Sequence, residues 1–182
     1  LRFTDAERAQ LKFPLNLPDA AKLSDPDPTV RVQKTLDALF PGWKTSRNAP
    51  DMNPGYVETI HATVGQVHGG VCTHPPKPGE AVVLSRTVGC VPEGDPKLHF
   101  EVANALHGDF KLKVRVNGVT ILSTRIWNPC ENDWRQHLQS FDLSLKPWAG
   151  QKATIELVNE PDGWLCEAAY WRDIKLAASN GS

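Results

Sequence analysis

Aromatic and polar side chains are mixed in the segment RIWNPCENDWRQH, residues 125–137. A saccharide has apolar C–H faces and polar hydroxyl groups, so a protein binds it with an aromatic ring and nearby hydrogen-bonding side chains. The alternative is that Trp127 or Trp134 packs as a core residue over Cys130. Together with Trp164 in PDGW, the predicted saccharide-binding residues are Trp127, Asn128, Asn132, Asp133, Trp134, Arg135 and Trp164.

Three carboxylates, Glu160, Asp162 and Glu167, flank Trp164. Two carboxylates hydrolyse a glycosidic bond when they stand about 5 Å or roughly 6.5–9.5 Å apart; ordinary loop acids are the alternative. The sequence has no phosphate-binding loop, nucleophile elbow, HExxH, EF-hand loop or dinucleotide fingerprint. An enzyme is therefore the less favoured interpretation.

Three histidines, His61, His68 and His74, lie in a glycine-rich and therefore loop-like segment. A metal site or an acid–base centre is one interpretation. The spacings match no established ligand pattern, which favours solvated or hydrogen-bonded side chains. His99 and Glu101 would share one face of a strand, where they could contact a ligand together or simply face solvent.

Four cysteines, Cys72, Cys90, Cys130 and Cys166, are widely spaced and include no C-x-x-C pair. Their even number favours two disulfides over four free thiols. Three pairings are possible; because Cys90 and Cys130 each follow a predicted strand, we favour Cys90–Cys130 and Cys72–Cys166. Disulfides would place the protein in an oxidising compartment, extracellular or periplasmic.

Length and charge set broad limits on function. The 182 residues suit one domain with an appended arm, and a net charge of −1 gives no electrostatic reason for a nucleic-acid partner. No apolar run approaches the roughly 18 residues that span a bilayer. The chain lacks an initiator methionine and a signal peptide, so we expect a mature or excised fragment.

Strands with a period of two would position the candidate residues. FKLKVRV alternates apolar side chains with Lys111, Lys113 and Arg115, which predicts one buried face and one basic, solvated face. Asn117-Gly118 then predicts a type I′ turn. Because each strand needs a second apolar surface over its inner face, the pattern predicts an all-β jelly-roll β-sandwich. The predicted strands are YVETIHATV, AVVLSRTV, LHFEV, FKLKVRV, VTILSTRIW, FDLSL, ATIELV and CEAAYWRDIKL.

The proline-rich residues 1–54 predict an arm docked on a sandwich that spans residues 55–178. Thr4 and Glu7 have the capping-box spacing that begins a helix in TDAERAQLKF. A second helix is predicted in TVRVQKTLDALF, with an apolar face formed by Val32, Leu36, Leu39 and Phe40.

The remaining aromatic residues are assigned mainly to packing. Trp43 follows Pro41-Gly42 and is expected to pin the arm onto the sandwich. Neighbouring residues of a strand point to opposite faces, so Trp171 is expected in the core and Tyr170 at the other surface.

The stretches AVVLSRTV, ALHGDFKLKVRVNGVTILSTRI, FDLSLKPWAGQKATIELVNEPDGW and EAAYWRDIKL resemble galactose-binding-like jelly rolls, over residues 81–177. More closely, they resemble carbohydrate-binding-module-like accessory domains of secreted multidomain bacterial proteins. The resemblance implies a β-sandwich that binds sugars or has a structural role, and a structural Ca²⁺ held by oxygen ligands. Cys130 is not expected from that pattern.

Three functions are consistent with the sequence. The favoured hypothesis is a non-catalytic carbohydrate-binding module, or an accessory β-sandwich of a secreted protein, that stacks loop aromatics on a poly- or oligosaccharide. The first alternative is a protein-interaction or structural module that docks its basic face on neighbouring domains of a larger parent. The second is a small hydrolase or lyase that uses the histidine or acid clusters.

Overall fold

The computed structural model describes residues 28–46, 57–60, 70–75, 78–104, 108–127, 138–163 and 167–177. Two five-stranded antiparallel sheets face each other, with orders β1-β4-β9-β6-β7 in the first sheet and β2-β3-β10-β5-β8 in the second. The predicted all-β jelly-roll sandwich is confirmed. The elements are α1 Pro28–Leu39, β1 Lys44–Thr45, β2 Val57–Ile60, β3 Gly70–Thr73, β4 Val82–Val88, β5 Lys97–Asn104, β6 Asp109–Val116, β7 Val119–Trp127, β8 Gln139–Ser144, a 3-10 turn Lys146–Trp148, β9 Ala153–Glu160 and β10 Ala169–Ala177.

Four connections between the two sheets join strand ends at one end of the sandwich, which we name the arch end. They are the chain segments 74–81, 105–108, 128–138 and 161–168. The β6–β7 hairpin and the connections 89–96 and 145–152 lie at the opposite end, and β10 runs from the arch end to that opposite end. The last residues of β3, β5, β7 and β9 therefore all lie at the arch end.

The core lies between the inner faces of the sheets, where the alternating apolar residues of β5, β6 and β9 meet. Trp171 is buried, with its ring centroid 6.1 Å from those of Phe100 and Phe110. Phe141 stacks on Phe100 at 5.1 Å. The prediction that Trp171 belongs to the core is confirmed, and Tyr170 packs on the other face of β10 against Cys72.

Helix α1 and the residues after it contribute to the same core. Leu36, Phe40 and Trp43 are all buried in it, and α1 contacts β1, β2 and β3. The helix therefore lies along the side of the sandwich where β1 and β2 form the edges of their sheets. The helix predicted in TDAERAQLKF lies outside the described residues, and a division of the chain at residue 54 stays a prediction.

Two strands were not predicted. Residues 70–73 were expected to be loop because the segment is rich in glycine, and that expectation is wrong: β3 pairs with both β2 and β10. Val71, Cys72 and Thr73 are all buried, so the strand has two covered faces and shows no alternation. Strand β1 is a two-residue pairing with β4, too short to leave a pattern.

The predicted type I′ turn joins β6 and β7. Asn117 has φ 50° and Gly118 has φ 80°, the two positive values that this turn requires. The Asn117 side chain also accepts a hydrogen bond from the Thr154 N–H at 2.8 Å, which fastens the hairpin to β9. The described helix is too short and too polar to span a membrane.

Candidate functional site

Trp127 differs from the other tryptophans that the structure describes. Trp43 and Trp171 are buried and Trp148 is half-buried, whereas Trp127 is 51% exposed. Among the described residues it shares this exposure with one other large hydrophobic side chain, Val119. Trp127 is therefore a surface residue, while Trp134 and Cys130, which the packing alternative also involves, lie outside the described residues.

Trp127 is the last residue of β7, an edge strand of the first sheet, and it lies at the arch end. It pairs directly with Asp109, the first residue of β6. Because the next residue of β6, Phe110, faces the core, Asp109 and Trp127 lie on the outer face of the sheet. Arg125 lies two residues before Trp127 on this face, and its guanidinium carbon stands 5.9 Å from the indole centroid, within cation–π range.

Two carboxylates hold the Arg125 guanidinium. Its Nε donates to Asp109 Oδ2 at 2.6 Å, its Nη2 donates to the same oxygen, and its Nε lies 3.1 Å from Asp162 Oδ2. The hydrogen bond with Asp109 raises the pKa of Arg125, and the negative charges of Asp109, Asp162 and Glu167 act in the same direction. Arg125 therefore stays a cation that links β6, β7 and the beginning of the connection 161–168.

This link joins the last described residues before the two segments that carry the predicted saccharide-binding residues. Residues 128–137 follow Trp127 directly, and Trp164 comes two positions after Asp162. Trp127 is described, and it is exposed as that role requires. The other predicted binding residues lie outside the described residues: Asn128, Asn132, Asp133, Trp134, Arg135 and Trp164.

The three carboxylates predicted to cluster near Trp164 face different partners. Glu160 forms an ion pair with Lys113, while Asp162 faces Arg125. Glu167 is buried, and its Oε2 accepts a hydrogen bond from the Asp162 N–H at 3.0 Å, which fastens the turn at residues 161–163. In the part of the chain that the structure describes, no three His, Cys, Asp or Glu side chains could hold a metal ion. A structural Ca²⁺ stays a prediction.

A buried polar network, not predicted from the sequence, lies under the arch end. Asn159 is fully buried, and its Nδ2 lies 3.1 Å from Thr73 O, 3.3 Å from Thr73 Oγ1 and 3.0 Å from Glu167 O. Trp171 Nε1 donates to the same Thr73 hydroxyl at 2.8 Å. Asn159 thus connects β9 of the first sheet to β3 of the second, and to the end of the connection 161–168.

The outer face of the first sheet pairs two of the three basic side chains predicted on β6 with acids. Lys113 forms its ion pair with Glu160, and Arg115 Nε lies 2.9 Å from Glu156 Oε2. These acids stand on β9, which lies beside β6 in the sheet. The sequence of β6 could not reveal them, because they are about forty residues away along the chain.

His99 and Glu101 lie on the outer face of the second sheet, and each contacts polar side chains of neighbouring strands. His99 Nδ1 lies 3.0 Å from Asp142 Oδ1, and Nε2 lies 3.2 Å from Asp173 Oδ2. Glu101 Oε2 accepts a hydrogen bond from Arg172 Nε at 2.6 Å. Both nitrogens of His99 thus face carboxylates of neighbouring strands.

The predicted disulfides stay predictions. Cys72 is buried and Cys90 is exposed, while Cys130 and Cys166 lie outside the described residues. Of the three histidines in the glycine-rich segment, His74 is described, and its Nδ1 lies 2.7 Å from Pro75 O. His61 and His68 lie outside the described residues.

No family model and no curated protein matches the chain. Solved structures do match, and among them are carbohydrate-binding modules. A family 35 module from Paenibacillus barcinonensis is 16% identical, with 76% of this chain and 94% of that chain covered and a TM-score of 0.46. A family 35 module from an environmental isolate is 19% identical, with 76% and 88% covered and a TM-score of 0.47.

A third similar structure is the CBM36-1 domain of a multidomain xylanase from the hindgut metagenome of Trinervitermes trinervoides. It is 13% identical, with 76% of this chain and 99% of that domain covered and a TM-score of 0.44. At these identities the likeness concerns the fold. We therefore base the functional proposal on the side chains at the arch end.

Proposed function

We propose that this protein is a non-catalytic carbohydrate-binding module, an accessory β-sandwich of a larger secreted protein. The observation that carries the proposal is the half-exposed indole of Trp127 at the arch end, beside a guanidinium that Asp109 and Asp162 hold in place. An indole face offers apolar contact to the C–H face of a sugar ring. The carboxylate oxygens beside it accept hydrogen bonds from sugar hydroxyl groups.

Preorganisation supports this role. A binding group that is already ordered loses less conformational entropy when the ligand arrives. Trp127 lies on a strand, and Arg125 is linked to two different neighbouring segments. In the proposal, Asn128, Asn132, Asp133, Trp134, Arg135 and Trp164 extend this surface, because their segments begin beside Trp127 and Asp162.

We propose no catalytic role for the described acids. Glu160 and Asp162 each face a basic side chain, and Glu167 supports a turn from a buried position. The proposed setting is extracellular or periplasmic, with disulfides Cys90–Cys130 and Cys72–Cys166. The paired charges of Lys113 and Arg115 make a basic docking face for neighbouring domains the less favoured alternative.

The test is binding to a panel of soluble polysaccharides by affinity electrophoresis, followed by calorimetry on the ligands that bind. Trp127→Ala is expected to weaken binding about 30-fold, which corresponds to about 2 kcal/mol for the loss of a central aromatic contact. Trp127→Phe should recover part of the affinity because it restores a ring face.

Val119→Ala is the matched control, because Val119 is 56% exposed on the same strand but lies at the opposite end of the sandwich. It is expected to bind like the wild type. Equal affinities of Trp127→Ala and the wild type, or no retention of the wild type by any polysaccharide, would refute the proposal.

A further inference from the structure

Two carboxylates stand at the cation beside Trp127 in the described part of the chain. Arg125 Nε lies 2.6 Å from Asp109 Oδ2 and 3.1 Å from Asp162 Oδ2. Lys111 lies opposite Arg125 and Glu160 in the sheet, and Glu160 forms its ion pair with Lys113.

The charge of Arg125 is already engaged. Recognition of a carboxylate by arginine uses two N–H donors of the guanidinium fork. In this structure Nε and Nη2 both donate to Asp109, and Asp162 approaches the same Nε at 3.1 Å. A carboxylate on a ligand would either displace one of these acids or bind the remaining N–H donors of Arg125 while staying close to both acids.

We infer that the Trp127 surface selects an uncharged saccharide over one that carries a carboxylate, and that Arg125 acts as a positioning residue rather than as an anion ligand. The inference rests on the proposed function and adds the class of sugar. The Asp109 and Asp162 side chains are 17% and 40% exposed, so both present oxygens that can accept hydrogen bonds from neutral hydroxyl groups.

A like charge about 4 Å away at a protein surface costs on the order of 1 kcal/mol or more. The expected discrimination between a neutral and an acidic ligand is therefore about tenfold at low ionic strength. The protein carboxylates and the ligand carboxylate are both solvated. Added salt therefore screens the repulsion between them and reduces the difference in affinity between neutral and acidic ligands.

The experiment compares acidic polysaccharides with their own carboxyl-reduced forms, which keep the linkage and lose the charge. Polygalacturonate, glucuronoxylan and alginate provide three such pairs, and neutral glucans and mannans complete the panel. Affinity is measured by affinity electrophoresis in 20 mM and 500 mM NaCl. The neutral forms that bind are expected to bind about tenfold more tightly than their acidic parents in the low-salt buffer.

Asp162→Asn removes the charge of one of the two acids that hold Arg125. It should reduce the affinity ratio between neutral and acidic polysaccharides about threefold, because one like charge is removed. Glu156→Gln is the matched control: Glu156 also pairs with an arginine on the outer face of the first sheet, but towards its other end. It should leave the discrimination unchanged. Circular dichroism establishes that both variants are folded.

The outcomes separate the two proposals. If no polysaccharide of either kind binds, the proposed function fails and the inference fails with it. If an acidic polysaccharide binds as tightly as its reduced form, or more tightly, the module function stands and the inference is wrong; Arg135 is then the cation to examine. An unchanged ratio in Asp162→Asn would also overturn the inference.

Discussion

Replacing Asn159 with alanine is expected to lower the free energy of unfolding by about 2 kcal/mol. The Asn159 amide nitrogen contacts three buried acceptors, Thr73 O, Thr73 Oγ1 and Glu167 O. The amide group has two hydrogens and serves two of these acceptors at a time, so the loss of two hydrogen bonds to buried acceptors, at about 1.5 kcal/mol each, destabilises by about 3 kcal/mol. Asn159 Oδ1 is buried and accepts no hydrogen bond in the described part of the structure, so its removal returns about 1 kcal/mol.

The measurement is urea unfolding followed by far-ultraviolet circular dichroism and tryptophan fluorescence, with thermal unfolding as a second readout. A loss of about 2 kcal/mol corresponds to a fall in Tm of about 4–8 °C for a chain of this size. Gln151→Ala is the control, because the exposed Gln151 side chain makes one long hydrogen bond, to Pro147 O at 3.4 Å. It should change stability by less than about 0.5 kcal/mol.

A free energy of unfolding for Asn159→Ala within about 0.5 kcal/mol of the wild type would contradict the reasoning. It would mean that the buried network contributes little to stability. A second result would also contradict it. The network joins the two sheets at the arch end, so both spectroscopic probes should report the same transition midpoint. Separate midpoints would show that the network and the remainder of the sandwich unfold independently.

Two further predictions concern the hairpin and the helix. Gly118→Ala is expected to cost about 1 kcal/mol in urea unfolding because φ is 80° there; a side chain would meet no atom within 4 Å, so the cost is in the backbone. No change would show that the turn relaxes. Leu36→Ala is expected to cost about 2–5 kcal/mol in the same assay because Leu36 is fully buried in the core. A cost below about 1 kcal/mol would show that helix α1 is not part of the cooperative unit.

Alternation predicts a strand correctly where one of its faces is covered. In β6, every second residue from Phe110 to Val116 is buried and the residues between them are half-exposed, which is the pattern that period-two alternation detects. The Asn117-Gly118 turn was predictable because few residues tolerate two consecutive positive φ angles. Strand β3 was missed because burial of both faces removes the alternation.

The candidate site was predictable only in part. The sequence identified the segment that begins at Trp127, because an indole stands beside polar residues there. It could not predict that the Trp127 side chain is exposed, because exposure depends on what packs around that side chain. Asp109, Arg125 and Asp162 belong to three separate segments, and the sheet order and register bring them together. Arg125 stands in the same segment as Trp127, so its proximity was the one available sign of its involvement.

The course of β10 has a practical consequence for immobilisation. Its last residue, Ala177, pairs with Lys97 at the end of the sandwich opposite Trp127. A biotin or affinity tag joined downstream of Ala177 would anchor the molecule to a biosensor chip with the indole directed towards the flowing sample. Attachment through the arch end would instead press the indole against the chip, so glycan titrations should use the downstream anchor.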